Sequence, residues 1–318
     1  MKPYKLYFVI VIIASGFLLS SCSKYIPKRH VLESKNNFFV LDKDELNSLM
    51  QSKEESSMEA LNGSSIEILS WNTMASCKNF KKNFAGFVFS QFICRTEEWS
   101  KTFKELSKNK DILVLQEAYL DQDVLDTINS LGKDYKWDMA VSYIEDEDND
   151  IPTGVMSISK TQSIKTYIQR AAEPVFPTPK ATLYTEYYLK RNQSGKILDE
   201  TLLVVNVHAI LMGREDFQIQ LEEIRKYINL HKGPVILAGD FNTMTSGSTE
   251  ILNSITNGLE KVTFSGVDNR TESVCGYPYD FIFYRGLRLK ESRSPDLSKN
   301  PYSEVSDHNP ISATFELE

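Results

Sequence analysis

Histidine, asparagine and carboxylate side chains stand at the ends of several apolar runs of this 318-residue chain. Asn206 and His208 are two residues apart, and so are Asp240 and Asn242. Because successive side chains of a strand point to opposite faces, each pair can present both of its groups to one site. Carboxylates and imidazoles that share a site can move protons, hold a metal ion and bind phosphate oxygens. Similar groups follow other apolar runs: Asn72, Glu117, Asp280, Asp307 and His308.

Each of these groups has a simpler interpretation when it is taken alone. An aspartate or asparagine after a strand is most often part of a turn or a helix cap, and a single histidine is usually a surface or core residue. The joint occurrence of six such segments, in order along one chain, favours a functional site.

Apolar runs rich in β-branched and aromatic residues predict the strands that position these groups. A helix is predicted where Phe217, Leu221, Ile224 and Ile228 recur at helical spacing before Gly233, and a second helix over residues 97–106. The order is neither a regular βαβ alternation nor all β, which predicts an α+β fold with packed sheets and helices outside. The predicted strands are residues 65–73, 111–116, 154–159, 182–189, 202–208, 234–239, 279–284 and 310–317.

The N-terminus has the pattern of an export signal. Lys2 and Lys5 precede an apolar run that ends in the sequence Leu-Ser-Ser-Cys at Cys22. This sequence resembles the bacterial lipobox, in which the cysteine is lipidated and anchors the mature protein to a membrane; an ordinary secretory signal is the alternative. We predict a signal peptide over residues 1–21, a tether over 22–64 and a catalytic domain over 65–318. In a Gram-negative cell, Ser23 after the lipidated cysteine would permit transport to the outer membrane.

Charge and cysteine content narrow the partners and the compartment. Removal of residues 1–21 takes away two lysines and no acidic residue, which leaves 34 basic residues against 43 acidic residues and a formal charge of −9. Such a balance disfavours tight binding to a nucleic-acid backbone. In an oxidising compartment a disulfide is permitted, and we predict one between Cys77 and Cys94, which flank what looks like an insertion.

The motifs together resemble the endonuclease/exonuclease/phosphatase superfamily, over roughly residues 65–317. Within it, the stretches 170–183 (RAAEPVFPTPKATL), 203–209 (LVVNVHA), 233–242 (GPVILAGDFN) and 280–287 (DFIFYRGL) look most like the YafD-like bacterial subgroup. The resemblance implies a DNase I-like four-layer α/β/β/α sandwich. The segments that carry it are Trp71-Asn72, Leu115-Gln116-Glu117, Asn206-Val207-His208, Gly239-Asp240-Phe241-Asn242, Tyr279-Asp280-Phe281-Ile282 and Ser306-Asp307-His308.

The resemblance also implies Mg²⁺-dependent hydrolysis of a phosphate ester, with Mn²⁺ as a possible substitute. Glu117 is expected to be the direct metal ligand, with Asn72 and Asp307 nearby, because Mg²⁺ prefers a few carboxylate oxygens and water. Asp240 is expected to activate or orient the attacking water. The expected catalytic set is completed by Asn206, by His208 and Asn242 on the phosphate oxygens, and by His308 with its partner Asp280.

Three features refine this hypothesis. Met74 stands where apurinic endonucleases commonly carry an aspartate, which favours a one-metal site like that of DNase I or the sphingomyelinases. Arg170 and Lys180 could contact substrate, although an exposed strand lysine is common. The substrate expected from the charge is a phospholipid headgroup or a small phosphate ester. A secreted endonuclease acting on nucleic acid, and a catalytically silent binding module on the same fold, are the alternatives.

Overall fold

The computed structural model describes residues 59–73, 96–119, 122–132, 135–142, 153–171, 179–190, 197–211, 213–264, 278–294 and 305–318. Cys22, Met74, Cys77, Cys94 and the predicted signal and tether, apart from residues 59–64, lie outside these residues. Within the described ranges, no helix has the length and apolar content needed to span a membrane.

Seven strands form the larger of two mixed sheets. Along its main path the order is β1, β7, β8, β9, β11, β10, and β6 also pairs with β7. β8 and β9 are parallel, whereas β7 is antiparallel to β8 and β11 is antiparallel to β9. The strands are β1 (Leu61–Asn62), β6 (Lys165–Ala171), β7 (Lys180–Lys190), β8 (Ile197–His208), β9 (Val235–Asp240), β10 (Glu260–Lys261) and β11 (Asp280–Arg285).

Six strands form the smaller sheet, in the order β12, β13, β2, β3, β5, β4. Its central pair, β2 and β3, is parallel, and their C-terminal ends lie side by side with Asn72 opposite Gln116. The strands are β2 (Ile66–Asn72), β3 (Ile112–Tyr119), β4 (Lys136–Val141), β5 (Thr153–Ser159), β12 (Leu287–Arg293) and β13 (Ile311–Leu317).

Side-chain alternation along the strands creates three apolar layers. Alternate residues such as Ile68, Val204 and Ile236 meet between the two sheets, where they are fully buried. The outer face of the larger sheet packs against helices α3 (Arg214–Leu230) and α4 (Ser246–Ile255), and that of the smaller sheet against α1 (Thr96–Leu106) and α2 (Gln122–Asn129). The described residues therefore form a four-layer α/β/β/α sandwich, and the predicted α+β fold class is confirmed.

Candidate active site

Three strands of the larger sheet carry His208, Asp240 and Asp280 in one cross-strand row. In the register of the sheet, His208 is opposite Asp240 on parallel β8 and β9, and Asp240 is opposite Asp280 on antiparallel β9 and β11. Neighbouring residues two or four positions away on the same strand faces, including Val204, Ala238 and Ile282, belong to the core between the sheets. Because side chains two apart share a face, the alternation that builds this core also turns the three polar groups inward at its end.

Gly239 lets β9 lie close to β8 directly behind this row. Its φ is +144°, and a Cβ at this position would lie 2.0 Å from the carbonyl oxygen of Val207. Only glycine fits so close an approach of two backbones, which explains why Gly239 precedes Asp240.

The smaller sheet contributes Asn72 from the end of β2 and Glu117 from β3. The register between β3 and β5 shifts between Leu115 and Ala118, so a bulge interrupts β3 at Glu117. Glu117 has a φ of +50°, a conformation that non-glycine residues seldom adopt. Such strain costs on the order of 1–3 kcal/mol and persists where surrounding contacts hold it, often at active sites. The bulge thus directs the Glu117 carboxylate toward Asn72 and His208.

Hydrogen bonds to β2 fix the turn that carries His308, just before β13. The hydroxyl of Ser306 donates to the carbonyl of Asn72 at 2.7 Å and accepts from the backbone N–H of His308 at 3.0 Å. The indole N–H of Trp71 donates to the carbonyl of His308 at 2.9 Å. Asp307 lies between these anchored residues, is half-buried, and its charge acts to raise the pKa of His308.

The two sheets meet around the amide of Asn72. Its Nδ2 lies 3.0 Å from Asp240 Oδ2 and 3.4 Å from Glu117 Oε1. Nε2 of His208 is 3.8 Å from each of these carboxylate oxygens, and Nε2 of His308 is 3.9 Å from Asp240 Oδ2. Residues from β2, β3, β8, β9 and the turn before β13 therefore converge within a few ångströms.

The two histidines have opposite electrostatic surroundings. Burial, together with the charges of Lys180 and His308, lowers the pKa of His208 well below its ordinary value. Burial also acts to lower the pKa of His308, but the carboxylates of Asp280 and Asp240 outweigh it and raise that pKa well above its ordinary value. Nδ1 of His308 donates to Asp280 Oδ2 at 2.8 Å, which fixes the ring. His308 is thus an imidazolium and His208 a neutral imidazole.

The buried carboxyl of Asp240 is held by donors on both sides. Its Oδ1 accepts the backbone N–H of Asn242 at 2.9 Å, and its Oδ2 accepts from Asn72. Burial raises the pKa of Asp240 to about 7, and the neighbouring His308 opposes this rise. A carboxyl with such a pKa can take up and release a proton near neutral pH.

Lys180, at the start of β7, reaches the same site. Its Nζ lies 2.9 Å from Nε2 of His208. Because an ammonium group can only donate, Nε2 of His208 is the acceptor, and the remaining ring proton is on Nδ1. The ammonium group of Lys180 is therefore held next to the carboxylate cluster by its hydrogen bond to His208.

The side-chain amides of Asn242 and Asn206 form hydrogen bonds mainly with other groups of the protein. Asn242 has a φ of +50°, and its Nδ2 donates to the carbonyl of Ala209 at 2.8 Å. Nδ2 of Asn206 donates to the carbonyls of Leu115 and Met156 at 3.1 and 2.9 Å, and its Oδ1 accepts from Gln116 at 2.8 Å. Asn206, which is fully buried, thus joins the two sheets one layer below the site.

Sequence reasoning did not single out several residues that position the site. Gln220, fully buried on α3, accepts from the backbone N–H of Ile210 at 2.9 Å and donates to the carbonyl of His208 at 3.2 Å. A polar residue amid the apolar spacing of α3 was the available signal. Ser306 and Gln116 belong to the quoted motifs, but their contacts are long-range and leave no local pattern.

Two groupings could receive a cation. Asp240, Asp280 and His308 place one ligand atom each within 4.8 Å of one another. There, however, Nδ1 of His308 already donates to Oδ2 of Asp280, so this pair is held together without a cation. Glu117 is more exposed, with 34% of its side chain accessible, and no described lysine or arginine forms an ion pair with it. Glu117 therefore fits a hard divalent cation better, and Asn72 would join it as a ligand if its amide turned to present Oδ1 in place of Nδ2.

Solved structures share this fold at low sequence identity. ANGEL2, whose structure in complex with adenosine-2',3'-vanadate names it a 2',3'-cyclic phosphatase, is 17% identical with a TM-score of 0.60, covering 82% of this chain and 98% of that one. An endonuclease/exonuclease/phosphatase from Bacteroides vulgatus is 19% identical with a TM-score of 0.58, covering 80% of this chain and all of that one. The fold is therefore that of the DNase I-like proteins.

Residues 69–308 match the model of the Endonuclease/Exonuclease/phosphatase family, and the chain belongs to this family, which hydrolyses phosphate esters. A UPF0294 protein of Vibrio campbellii is 35% identical over 234 residues, which cover 70% of this chain and 73% of the relative. The UPF0294 proteins are YafD-like, so the predicted resemblance to that subgroup is confirmed.

Proposed function

We propose that this chain hydrolyses small phosphate esters with the help of one divalent cation, Mg²⁺ or Mn²⁺. The observation that carries the proposal is the position of two carboxylate oxygens, from Glu117 and Asp240, on either side of the Asn72 amide. One carboxylate is accessible and strained into place, and the other is buried with a pKa of about 7. Because of this difference, Glu117 is suited to bind a cation and Asp240 is suited to accept or release a proton.

Glu117, with Asn72 and Asp307, would hold the cation. When bound, a divalent cation polarises a phosphoryl oxygen and offsets the negative charge that develops during hydrolysis. The carboxylates of Glu117, Asp240, Asp280 and Asp307 make this end of the sandwich strongly negative, which favours a cation there and disfavours a free phosphate.

Asp240 and His308 would divide the proton chemistry. Asp240 would accept a proton from the attacking water, and its backbone donor Asn242 keeps the carboxyl oriented. The imidazolium of His308, fixed by Asp280, would donate a hydrogen bond to a phosphate oxygen and stabilise its charge.

Lys180 and His208 would complete the phosphate-binding groups. The ammonium of Lys180 is a point charge that can contact a phosphate oxygen while it donates to His208. Neutral His208 therefore orients the lysine and can offer its Nδ1 proton.

The substrate class rests on charge and on a solved neighbour. A formal charge of −9 for the mature chain opposes an extended polyanion, whereas a substrate with one reacting phosphate needs only the cation and a few donors. ANGEL2, which shares the fold, is a 2',3'-cyclic phosphatase that binds adenosine-2',3'-vanadate. A membrane anchor at Cys22 would also bring phospholipid headgroups within reach.

We further propose that the chain is an exported lipoprotein anchored to a membrane through Cys22; in a Gram-negative cell it would lie at the outer membrane or face the periplasm. The basis is the lipobox-like sequence that ends at Cys22. Metabolic labelling with palmitate should mark the full chain and not Cys22→Ser, and equal labelling of both would oppose the proposal.

A substrate panel with a metal series tests the enzymatic proposal. Purified protein should hydrolyse small monoesters, cyclic phosphates or phospholipid headgroups with Mg²⁺ or Mn²⁺ and lose activity in EDTA. Mg²⁺ should also raise the unfolding temperature of the wild type but not of Glu117→Gln, because a bound ion stabilises the folded state. Glu250→Gln, an exposed change on α4, is the matched control.

Three outcomes would redirect the proposal. Nicking of plasmid DNA at least tenfold faster than every small ester would favour an endonuclease. Full activity in EDTA would remove the metal from the reaction. A protein that binds Mg²⁺ but hydrolyses nothing would favour a binding module.

A further inference from the structure

The cationic side chains near the site lie on one side of His208, and the carboxylates lie on the other. Glu117, Asp240 and Asp280 belong to β3, β9 and β11, whereas Lys180 and Arg170 belong to β7 and β6, toward the opposite edge of the larger sheet. A cation-binding region and an anion-binding region thus adjoin along the sheet.

Arg170 extends the row that contains His208, Asp240 and Asp280. It is opposite Ala181 in the register of β6 and β7. Thr182 is opposite Val207 on antiparallel β7 and β8, so Ala181 stands level with His208. Two strand spacings of about 4.8 Å therefore separate the backbones of Arg170 and His208 by roughly 10 Å.

Arg170 also lies on the strand face that the row uses. Ile168, two residues earlier, packs with Ala181 and Leu183 against the smaller sheet, whereas Tyr167 and Ala171 pack on the helix side. Since side chains two apart share a face, Arg170 is on the same face as Ile168. Ala181, the residue of the row between Arg170 and His208, carries only a methyl group, so no long side chain of that row separates them.

We propose that Arg170 binds a second anionic group of the substrate, on the side of His208 that faces away from Asp240 and two strand spacings along the row from His208. The preferred substrate is then a phosphate ester that carries another phosphate or carboxylate group. Arginine suits this role because its planar guanidinium binds such groups with two parallel hydrogen bonds. This inference rests on the proposed function, whose site supplies the reacting phosphate.

A series of straight-chain diol phosphates tests whether a second anionic group is preferred and how far it must lie from the reacting phosphate. For diols of about two to ten carbons, kcat/KM is compared between the monophosphate and the bisphosphate of the same length. The wild type should prefer the bisphosphate by about tenfold at the length that spans the two positions and less at shorter lengths. Arg170→Gln should reduce this ratio to near one, whereas Arg170→Lys should keep part of it. Lys226→Gln, which removes an exposed charge on α3, should leave the ratio as it is in the wild type.

Failure of this inference is distinguishable from failure of the proposed function. A wild type that hydrolyses both esters equally at every length, or an Arg170→Gln variant that keeps the preference, would overturn the role of Arg170 alone. If no ester is hydrolysed, the proposed function fails, and Arg170 is then tested by binding. The bisphosphate with Mg²⁺ should raise the unfolding temperature more for the wild type than for Arg170→Gln, and equal stabilisation of the two would overturn the inference.

Discussion

Asn206 and His208 are successive inward-facing residues of β8, yet they belong to two different kinds of buried polar region. Around Asn206, donors and acceptors pair with one another: the amide spans two backbone carbonyls of the smaller sheet and the side chain of Gln116. Around His208, the partners are a lysine at 2.9 Å and two carboxylates at 3.8 Å. Both residues are almost inaccessible to solvent.

Since Asn206 and His208 are both buried but differently surrounded, burial of a polar side chain does not by itself mark a functional site. A neutral network in which the amide of Asn206 is paired rigidifies the fold and joins its layers. A cluster of charged groups with displaced pKa values, beside a strained Glu117, is suited instead to bind a cation and move protons. Substitutions in the two regions should therefore separate stability from activity.

The largest effect is expected in the charged region, at Asp240 and His308. Asp240→Asn and His308→Gln should each lower kcat by at least about 10²-fold, because proton-transfer and positioning groups contribute that much. Thermal unfolding should show that both variants remain folded. A folded variant with a rate near that of the wild type would remove that residue from the mechanism.

The same Asp240→Asn variant also tests the pKa of the buried carboxyl. Burial raises the pKa of Asp240 to about 7 from an ordinary value of 3.8. A raised carboxyl pKa means that ionisation costs free energy in the folded state, so this group destabilises the protein increasingly as pH rises from about 4 to about 7. In EDTA at pH 8, Asp240→Asn should be at least as stable as the wild type. A clear loss of stability there would contradict the raised pKa.

The next effect is expected in the neutral network, as a loss of stability. Asn206→Leu keeps a similar volume but leaves the carbonyls of Leu115 and Met156 and the amide of Gln116 without this partner. Unsatisfied buried groups cost about 1–3 kcal/mol each, so with three such groups the free energy of unfolding should fall by at least about 3 kcal/mol. Denaturant unfolding measures this change. An unchanged stability together with a 10²-fold loss of kcat would assign Asn206 to the chemistry instead.

The contrast also explains how much could be predicted from the sequence. All eight predicted strands correspond to observed strands, with ends shifted by up to five residues, because their inward residues form continuous buried layers. The prediction lacked β1, β4, β6, β10 and β12, each of which lies at or near a sheet edge. β12 (Leu287–Arg293) is largely exposed and charged, so it has no core-forming pattern that a sequence could display.

Residue types at strand ends predicted which residues lie close together. They did not predict which of those residues belong to the neutral network and which to the charged region. Motif order was enough to suggest that Asn72, Glu117, His208, Asp240 and His308 belong together, and the structure brings them within a few ångströms. The sequence could not distinguish Asn206 from His208, because the partners of both come from distant segments. The bulge at Glu117 likewise arises from the pairing of β3 with β5 and has no local signature.

The smallest effect is expected just outside both regions, where helix α4 begins after Asn242. Thr245 is the N-cap of α4: its hydroxyl accepts the backbone N–H of Ser248 at 3.1 Å, and the hydroxyl of Ser248 accepts the N–H of Thr245 at 3.0 Å. Thr245→Ala removes one half of this capping box and should lower the free energy of unfolding by about 1 kcal/mol. The activity of the folded protein should remain within about twofold, because the hydroxyl of Thr243 still donates to the carbonyl of Pro278 at 2.9 Å and holds the loop that follows Asn242.

Thr249→Ala, four residues further along the chain, is the matched control. Thr249 is exposed, its hydroxyl donates to the carbonyl of Thr245, and alanine favours helix. The control should be neutral or slightly stabilising in the same denaturant titration. If Thr245→Ala instead lowered kcat tenfold at unchanged stability, the start of α4 would belong to the charged region, and the boundary between the scaffold and the site would have to be moved.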